Sequence, residues 1–375
     1  MKYYIIAGEA SGDLHASNLM RGLKTADPDA RFRVWGGDLM QAEGGEIVKH
    51  YRDLAFMGIG EVVSHLPDIF GNMSFCKRDL LQHRPDVVIL VDYPGFNLSI
   101  AAFTHKHHIP TYYYISPKVW AWQERRVKII KKYVDRMFVI FPFEVGFYAK
   151  HDYRVDFQGN PLIDAIDEKR EKLPDRATFL QKNGLPDRPV IALLAGSRKQ
   201  EISRLLPEML AVRKHFPSYQ FLLAGAPAID PGFYQQFLAP EDQVTLLFGQ
   251  TYDILKHAEA ALVTSGTATL ETALFRVPQV VCYKTGKMSY RIGTLFFHDK
   301  FFSLVNIIMG KEVVKELLQH DVAGRMQTEL ERILTDDAYR QQMLAQYDTL
   351  RELSGGRGAS DRVARLMVSY LQQDL

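Results

Sequence analysis

The sequence predicts an α/β protein with two Rossmann-like domains that face a cleft. Short β-rich runs alternate with helical patterns along the chain, which is typical of βαβ units and mainly parallel sheets. A strand, a loop of small residues and a helix follow one another twice, at residues 3–13 and 189–202. The chain has 375 residues, 47% of them hydrophobic, which favours two hydrophobic cores over one.

The first half of the chain contains a series of predicted strands. The run at 87–91 is continuously apolar, as expected of a strand that is covered on both faces. The other runs are β-rich segments separated by helical patterns. We therefore expect a first domain over residues 1–165, with strands at 3–7, 31–35, 86–91, 111–115 and 136–140.

The composition changes between residues 158 and 189, where glycine, proline and a charged helix at 168–172 mark the connection between the domains. The second domain is expected over residues 185–350, with a helical pattern after residue 310. Its predicted strands lie at 190–194, 219–224, 244–247, 260–264 and 279–283.

A glycine-rich break at 354–358 precedes a last helix at 360–373. Two α/β domains of similar size followed by such a helix are typical of the glycosyltransferase B fold. In that fold the last segment, here 355–375, packs back on the N-terminal domain. Each strand-loop-helix unit would supply half of a site, because ligands of open parallel sheets bind beyond the carboxyl ends of the strands.

The composition excludes several classes of protein. A net charge of +2 gives no reason to expect a nucleic-acid partner. Cys76 and Cys282 are far apart in the sequence, as in proteins of a reducing cytoplasm. The apolar run near the N-terminus is too short for a signal peptide, and no run approaches the roughly 20 apolar residues that span a bilayer. We expect a cytoplasmic protein.

The second domain carries a loop suited to a phosphate group. Ser265, Gly266 and Thr267 follow a predicted strand and open a helix, whose N-terminus offers free N–H groups and about half a positive charge. Glu271 lies further along this helix and can accept hydrogen bonds from the hydroxyls of a ribose. The alternative is a capped helix, with serine or threonine at the N-cap and a glutamate in its first turns.

Arg198 follows the other strand-loop unit of the second domain, beside Gly196 and Ser197. Its guanidinium can bind a diphosphate through several hydrogen-bond donors, and its positive charge can offset the charge that develops on a departing nucleotide. The alternative is a surface arginine that caps a neighbouring helix.

Asp92 directly follows the buried strand of the first domain. A carboxylate at the end of a central strand can point into the cleft and accept a proton from an attacking hydroxyl. The alternative is an Asx turn before Pro94, because aspartate often bonds to its own backbone at such places.

Two of the three tryptophans, Trp120 and Trp122, lie next to Val119 and just before Arg125 and Arg126. Aromatic anchors beside a basic stretch suit docking to an anionic lipid surface. The alternative is an ordinary amphipathic helix with its cations in water. A second apolar region, at 56–70, holds acyl chains or belongs to the core.

No pattern in the sequence predicts a metal or a cofactor. The glycines at 8 and 12 match neither the dinucleotide fingerprint nor a P-loop. The histidines at 105–108 lack paired cysteine or acidic ligands. No Asp-x-Asp motif in the sequence offers an obvious bridge to a metal and a diphosphate.

Taken in order, the motifs resemble those of the lipid A disaccharide synthase family, which takes part in bacterial outer-membrane lipid A assembly. Each motif is weak alone, but their order and spacing are specific and cover almost the whole chain. They lie at 8–13, 40–44, 57–59, 92–97, 116–122, 196–198, 265–271, 303–306 and 313–319.

The resemblance implies an inverting glycosyltransferase that needs no cofactor. The donor would be UDP-2,3-diacylglucosamine and the acceptor 2,3-diacylglucosamine 1-phosphate, known as lipid X. The products would be a β-1,6-linked lipid A disaccharide 1-phosphate and UDP. By matching position, Asp92 would be the general base, Arg198, Glu271 and Asn306 would belong to the donor site, and Ser11 would lie near the cleft.

The expected partners are the two substrates and the cytoplasmic surface of the inner membrane, to which the protein would attach peripherally. The oligomeric state is left open, with a homodimer as one candidate. Two other functions also fit the fold. One is a UDP-sugar 2-epimerase, and the other is a two-domain solute-binding protein without catalytic activity.

Overall fold

The computed structural model describes residues 1–54, 66–122, 124–239, 243–284, 301–319 and 322–374. The chain divides into two compact units, which we name unit 1 and unit 2. Unit 1 comprises Met1–Ala165 and Ser354–Leu375, and unit 2 comprises Ile166–Leu353. Each unit contains one parallel sheet, so the α/β fold class predicted from the sequence is confirmed.

The sheet of unit 1 has seven strands in the order β3-β2-β1-β4-β5-β6-β7, and the paired neighbours run parallel. The strands are β1 Lys2–Ala7, β2 Arg31–Gly36, β3 Glu46–His50, β4 Val87–Val91, β5 Thr111–Tyr114, β6 Arg136–Val139 and β7 Asp156–Phe157. The helices are α1 Ala10–Ala26, α2 Asp38–Ala42, α3 Leu66–His83, α4 Pro94–Lys106, α5 Val119–Trp122, α6 Val127–Tyr133, α7 Pro142–Ala149, α8 Pro161–Lys172, which continues into unit 2, and the last helix of the chain, Ala359–Asp374.

The sheet of unit 2 has six strands in the order β10-β9-β8-β11-β12-β13, again parallel. The strands are β8 Val190–Leu194, β9 Gln220–Gly225, β10 Val244–Phe248, β11 Ala258–Thr264, β12 Gln279–Tyr283 and β13 Lys315–Leu318. The helices are α9 Arg176–Lys182, α10 Lys199–Arg213, α11 Pro231–Gln235, α12 Thr251–His257, α13 Thr267–Leu274, α14 Leu304–Met309, α15 Val322–Thr335 and α16 Asp337–Leu353, so the last helix, Ala359–Asp374, is α17.

Apolar residues cover both faces of the sheet in unit 1. Alternate residues of β1 point to opposite faces, so Tyr3 and Ile5 join one core, and Tyr4 and Ile6 join the other. Helix α17 packs against α1 in the first of these cores. At Gly22 an added Cβ would lie 2.9 Å from the Cβ of Ala364, so a small residue is needed there. The last helix therefore packs on unit 1, as the sequence predicts.

Three short strands were missed by the sequence analysis. Strands β3 and β7 lie at opposite edges of the sheet in unit 1 and are only half-buried, so their hydrophobic pattern is weak. The expected helix after residue 310 is wrong at β13, because Lys315–Leu318 pairs with β12 as an edge strand. Its lysine, glutamate and leucines favour a helix locally, and the pairing overrides that preference.

The strand order reverses once in each sheet. In unit 1 the reversal lies between β1 and β4, and in unit 2 it lies between β8 and β11. Such a switch point opens a crevice beyond the carboxyl ends of the two strands, where open α/β sheets bind their ligands. We therefore expect ligand-binding residues in the loops that follow these four strands.

Among the described residues, no helix has the length and apolar character that crossing a membrane requires.

Candidate active site

Asp92 is the first residue after β4, at the switch point of unit 1. Asp92 and Tyr93 both have left-handed backbones, with φ of 44° and 47°, a conformation that costs about 1–2 kcal/mol per residue. Two donors fix this turn through the carbonyl oxygen of Asp92: Asn97 Nδ2 at 2.8 Å and Tyr113 Oη at 2.5 Å. Pro94 has no N–H, so Asp92 cannot form a regular Asx turn to it, but the Asp92 carboxylate does bond locally to the backbone N–H of Tyr93.

The ring of Tyr93 packs against the loop that follows β1. A Cβ added at Gly8 would lie 2.4 Å from Cγ of Tyr93, so only glycine fits at position 8. The same ring stacks on Phe96, with centroids 5.6 Å apart. The β1 and β4 loops are thus in direct contact, and the position of Asp92 depends on both.

Burial raises the pKa of Asp92 to about 6, and the nearby Glu9 carboxylate adds to the rise. The Lys118 ammonium and the backbone N–H of Tyr93 act in the opposite direction. A carboxyl group with this pKa is mostly ionised at neutral pH and is a stronger base than a solvated aspartate. Such a group is suited to accept a proton from a hydroxyl.

Ser11 lies exposed in the first turn of α1, beyond β1. Its neighbour Asp13 is buried, and its carboxylate accepts hydrogen bonds from the N–H groups of Gly37, Leu39 and Met40. Asp13 therefore caps α2, while the Ser11 side chain stays accessible at the same edge of the sheet.

Arg198 is the residue before α10, at the switch point of unit 2, and its side chain is 81% exposed. The Glu201 carboxylate accepts hydrogen bonds from the N–H groups of Ser197 at 3.0 Å and Arg198 at 3.2 Å. Its other oxygen lies 3.4 Å from Nη1 of Arg198. Among the described residues, the Arg198 guanidinium bonds to Glu201 of α10, the helix whose N-cap position Arg198 occupies. The diphosphate-binding role of Arg198 therefore stays a prediction.

The loop between β11 and α13 is open. Gly266 occupies the N-cap of α13 with a φ of 154°, and an added Cβ would meet no atom within 4 Å. No side chain of the described residues caps this helix. The Ser265 hydroxyl donates to the carbonyl oxygen of Phe302 at 2.7 Å, so it holds the loop, while Gly266 and Thr267 are exposed.

Glu271 lies in α13, one turn beyond that loop. Its Oε1 accepts a hydrogen bond of 2.6 Å from the hydroxyl of Tyr252 in α12. Burial raises the pKa of Glu271, and the Tyr252 hydroxyl and the Lys169 ammonium oppose that rise. The Glu271 carboxylate thus bonds to another helix, and the N-cap of α13 is Gly266, so the alternative of a serine or threonine cap does not hold.

Asn306 is fully buried, and its amide is satisfied within the protein. Nδ2 donates to the carbonyl oxygen of Val314 and to Glu316, both at 2.8 Å. Oδ1 accepts from the N–H groups of Val313 and Val314, at 2.7 and 3.0 Å. Asn306 therefore fastens α14 to β13, and any role in the donor site is exerted through this segment.

The tryptophan segment has mixed surroundings. Val119 is buried in the core of unit 1, while Trp120 is half-buried and meets Phe143 edge-on at 4.9 Å. Arg125 is exposed and Arg126 half-exposed. The side chain of Trp122 and residues 55–65, which include the 57–59 motif and most of the apolar region at 56–70, lie outside the described part of the chain.

Several residues that hold the site were missed by the sequence analysis. Tyr113 lies 21 positions after Asp92, so no local signal connects it to the Asp92 carbonyl oxygen. Asn97 belongs to the motif at 92–97, but its bond to that oxygen was not predicted. Glu144 is buried, and burial raises its pKa to about 7, while it accepts hydrogen bonds from the N–H groups of Ile140 and Phe141. The sequence does carry a signal for Glu144, because it lies two residues after Pro142, which opens α7.

Comparison with known proteins agrees with these motifs. A sequence model of the family described as Lipid-A-disaccharide synthetase matches residues 3–366. The chain is 36% identical to the Lipid-A-disaccharide synthase of Koribacter versatilis, over 100% of this chain and 99% of that protein. The protein of the same name from Syntrophus aciditrophicus is 39% identical, over 98% of this chain and 97% of that protein.

Solved structures share the fold at low identity. A crystal structure of UDP-GlcNAc 2-epimerase from Neisseria meningitidis bound to UDP-GlcNAc matches with a TM-score of 0.70 and 13% identity, over 98% of this chain and 100% of that chain. The glycotransferase of kitacinnamycin matches with a TM-score of 0.64 and 16% identity, over 98% of each chain. At these identities the likeness concerns the fold alone.

Proposed function

This chain belongs to the lipid-A-disaccharide synthase family, and we propose that it condenses UDP-2,3-diacylglucosamine with lipid X. The products are the β-1,6-linked lipid A disaccharide 1-phosphate and UDP. In this proposal unit 1, over residues 1–165 with 355–375, binds the acceptor, and residues 185–350 of unit 2 bind the donor. The enzyme is then an inverting hexosyltransferase.

The observation that carries the proposed mechanism is the setting of Asp92. Its backbone is fixed by Asn97 and Tyr113, and its carboxyl pKa of about 6 suits a base at neutral pH. In the proposed reaction Asp92 accepts the proton of the acceptor 6′-hydroxyl. The oxygen attacks C1″ of the donor sugar from the face opposite UDP, and the bond between C1″ and the diphosphate oxygen breaks.

Unit 2 supplies the groups that bind the leaving UDP in this proposal. The exposed guanidinium of Arg198 and the open N-terminus of α13 meet the diphosphate, where positive charge offsets the charge that develops on departure. Ser197 and Thr267 lie in the same two loops. Glu271 binds the ribose hydroxyls, and Asn306 holds the neighbouring segment in place.

The acylated substrates lead us to propose peripheral attachment to the cytoplasmic surface of the inner membrane. Phe70 on α3 is 67% exposed, and Arg125 is exposed just before α6, a helix that carries Ile129 at 41% exposure. Apolar side chains near cations suit an anionic lipid surface. Trp120 and Trp122 stay candidates for the same contact.

Vesicle sedimentation tests the attachment. Arg125→Glu should reduce the fraction that sediments with vesicles containing phosphatidylglycerol at low salt. Lys214→Glu, which makes the same charge change at an exposed position of unit 2, is the matched control and should bind as the unchanged protein does. Equal binding of both variants would mean that the Arg125 surface does not face the lipid.

Product analysis tests the reaction. Incubation with UDP-2,3-diacylglucosamine and lipid X should give a disaccharide monophosphate by mass spectrometry, together with UDP, and the new linkage should have the β configuration by NMR. Conversion of UDP-N-acetylglucosamine to its 2-epimer, without disaccharide, would replace the proposal with epimerase activity. Binding of substrate without any product would leave only a solute-binding role.

A further inference from the structure

The contact between Tyr252 and Glu271 is the only hydrogen bond that the Glu271 carboxylate receives within the described residues. It joins α12, which precedes β11, to α13, which follows the same strand. At 2.6 Å it is short, as expected when a hydroxyl donates to an ionised carboxylate. Oε1 of Glu271 is thereby occupied, while Oε2 has no such partner among the described residues.

Two cations of α8 surround this pair. Lys169 Nζ lies 4.9 Å from the centroid of the Tyr252 ring, and the guanidinium carbon of Arg170 lies 5.6 Å from that of Phe275. The rings of Tyr252 and Phe275 are themselves 5.0 Å apart. The charged helix that the sequence marks as a connection thus places its cations over the aromatic rings beside Glu271, an arrangement that is attractive in itself.

The charge state of Glu271 depends on burial and on its two polar neighbours. Burial has the largest effect and raises the pKa of Glu271, and the Tyr252 hydroxyl and the Lys169 ammonium partly offset this rise. Burial and the neighbouring Glu271 also raise the pKa of Tyr252, so its hydroxyl stays protonated and remains a donor. A carboxylate with one oxygen fixed in this way can accept from the vicinal hydroxyls of a ribose without first losing rotamer freedom.

We propose that Tyr252, assisted by Lys169, is a positioning residue that fixes the Glu271 carboxylate for the ribose diol of a nucleoside diphosphate. This inference rests on the proposed function, in which Glu271 binds the ribose of UDP. Tyr252 does not touch the reacting atoms, and it acts only through Glu271. Its loss should therefore weaken donor binding and leave the chemical step nearly unchanged.

Isothermal titration with UDP and with 2′-deoxy-UDP tests the inference. Tyr252→Phe removes only the hydroxyl, and we expect UDP to bind about 3- to 10-fold more weakly, the usual consequence of one lost hydrogen bond. The affinity for 2′-deoxy-UDP should change less, because that ligand lacks a hydroxyl of the diol. In turnover assays KM for the donor should rise in the same proportion, with kcat within about 2-fold.

Tyr339→Phe is the matched control. The Tyr339 hydroxyl also donates to a carboxylate of unit 2, that of Glu329, so the same chemical group is removed at a place outside the proposed site. This variant should bind both ligands as the unchanged protein does. Thermal unfolding of the two variants shows whether either change disturbs the fold. Lys169→Met, which keeps an apolar stem and removes the charge, should shift UDP affinity in the same direction as Tyr252→Phe.

The outcomes separate the inference from the proposed function. Undiminished UDP affinity in Tyr252→Phe, or an equal loss for both ligands, would overturn the positioning role. If the unchanged protein bound UDP and 2′-deoxy-UDP equally well, Glu271 would not bind the ribose diol, and the inference would be overturned. The proposed reaction would still stand if the disaccharide forms. Failure of the unchanged protein to bind UDP at all would overturn the proposed function and the inference together.

Discussion

At the switch point of unit 1 the carboxylate of Asp92 is half-buried, whereas at that of unit 2 the Arg198 side chain is 81% exposed. Asp92 is fixed by a left-handed turn, two hydrogen bonds to its carbonyl oxygen and the Tyr93 ring on Gly8. Within the described part of the chain, the Arg198 guanidinium has a single contact, at 3.4 Å with Glu201. The same α/β architecture thus holds the proposed base by several contacts in one unit and leaves the proposed anion-binding group exposed in the other.

The difference follows from what each group is proposed to do. A base must be partly desolvated to have a raised pKa, and it must be fixed to meet a hydroxyl in one geometry. A cation that binds a diphosphate keeps its charge at any exposure, because arginine does not lose its proton in proteins. Four experiments test this difference between the two units.

The largest effect is expected from Asp92→Asn. Loss of a general base costs about 10²- to 10⁴-fold in rate, so kcat should fall by that factor. Asp86→Asn is the matched control, since Asp86 directly precedes the same strand and accepts from the N–H of Lys2 at its opposite end. An asparagine there can still accept that bond. Near-normal turnover of Asp92→Asn would exclude Asp92 as the base.

Arg198→Ala should lower the rate by about 10²- to 10³-fold, the usual cost of one group that stabilises developing charge. Lys214→Ala removes an exposed cation at the other end of α10 and should leave the rate unchanged. Steady-state assays at saturating acceptor measure both. A loss in Arg198→Ala no greater than that in Lys214→Ala would remove Arg198 from the donor site.

Gly8→Ala tests whether the packing of the β1 loop holds Asp92 in place. The new Cβ would overlap the Tyr93 ring at 2.4 Å, so we expect a loss of about 1–3 kcal/mol in the free energy of unfolding and a lower kcat. Gly95→Ala lies in the first turn of α4 with nothing within 4 Å of the new Cβ. This control should keep both its stability and its activity. Denaturant titration compares the free energy of unfolding of the two variants. Full activity of Gly8→Ala would show that the Tyr93 contact does not position Asp92.

The smallest effect is expected in the pH dependence of kcat/KM. Because Asp92 must be ionised to act as a base, kcat/KM should be flat near pH 7 to 8 and fall as the pH drops through its pKa of about 6. Lys118→Met removes a cation that lowers this pKa, so the acid limb should move to higher pH. Glu9→Gln removes an anion that raises it, so the limb should move to lower pH. Shifts of the same sign in both variants would contradict this assignment.

The sequence alone predicted where the candidate residues lie in the fold better than the contacts that hold them. Asp92, Arg198 and Gly266 each follow a strongly apolar strand, so their position at the carboxyl edge of a sheet follows from periodicity. The bond from Tyr113 to Asp92 and that from Tyr252 to Glu271 join residues about 20 positions apart. Such contacts depend on how neighbouring elements pack, and no local pattern of residue types encodes them.

The same limit explains the error at β13. The sequence at 315–318 predicts a helix, because lysine, glutamate and leucine favour that conformation. In the structure these residues form the edge strand of the sheet in unit 2. The buried Asn306 and the carboxylate of Glu316 secure this arrangement through hydrogen bonds between α14 and β13. Pairing with β12, supported by these hydrogen bonds, thus overrides the helical propensity of the segment.

Calorimetric titration of UDP into Asp92→Asn and Arg198→Ala, side by side, tests the division of roles most directly. We predict that Asp92→Asn binds UDP as tightly as the unchanged protein does, because its carboxylate serves only the acceptor hydroxyl. Arg198→Ala should bind UDP at least tenfold more weakly, since a charged hydrogen-bonding group is lost (about 1.5–3 kcal/mol). Weakened UDP binding in Asp92→Asn, or unchanged binding in Arg198→Ala, would contradict the assignment of the base to unit 1 and of the nucleotide to unit 2.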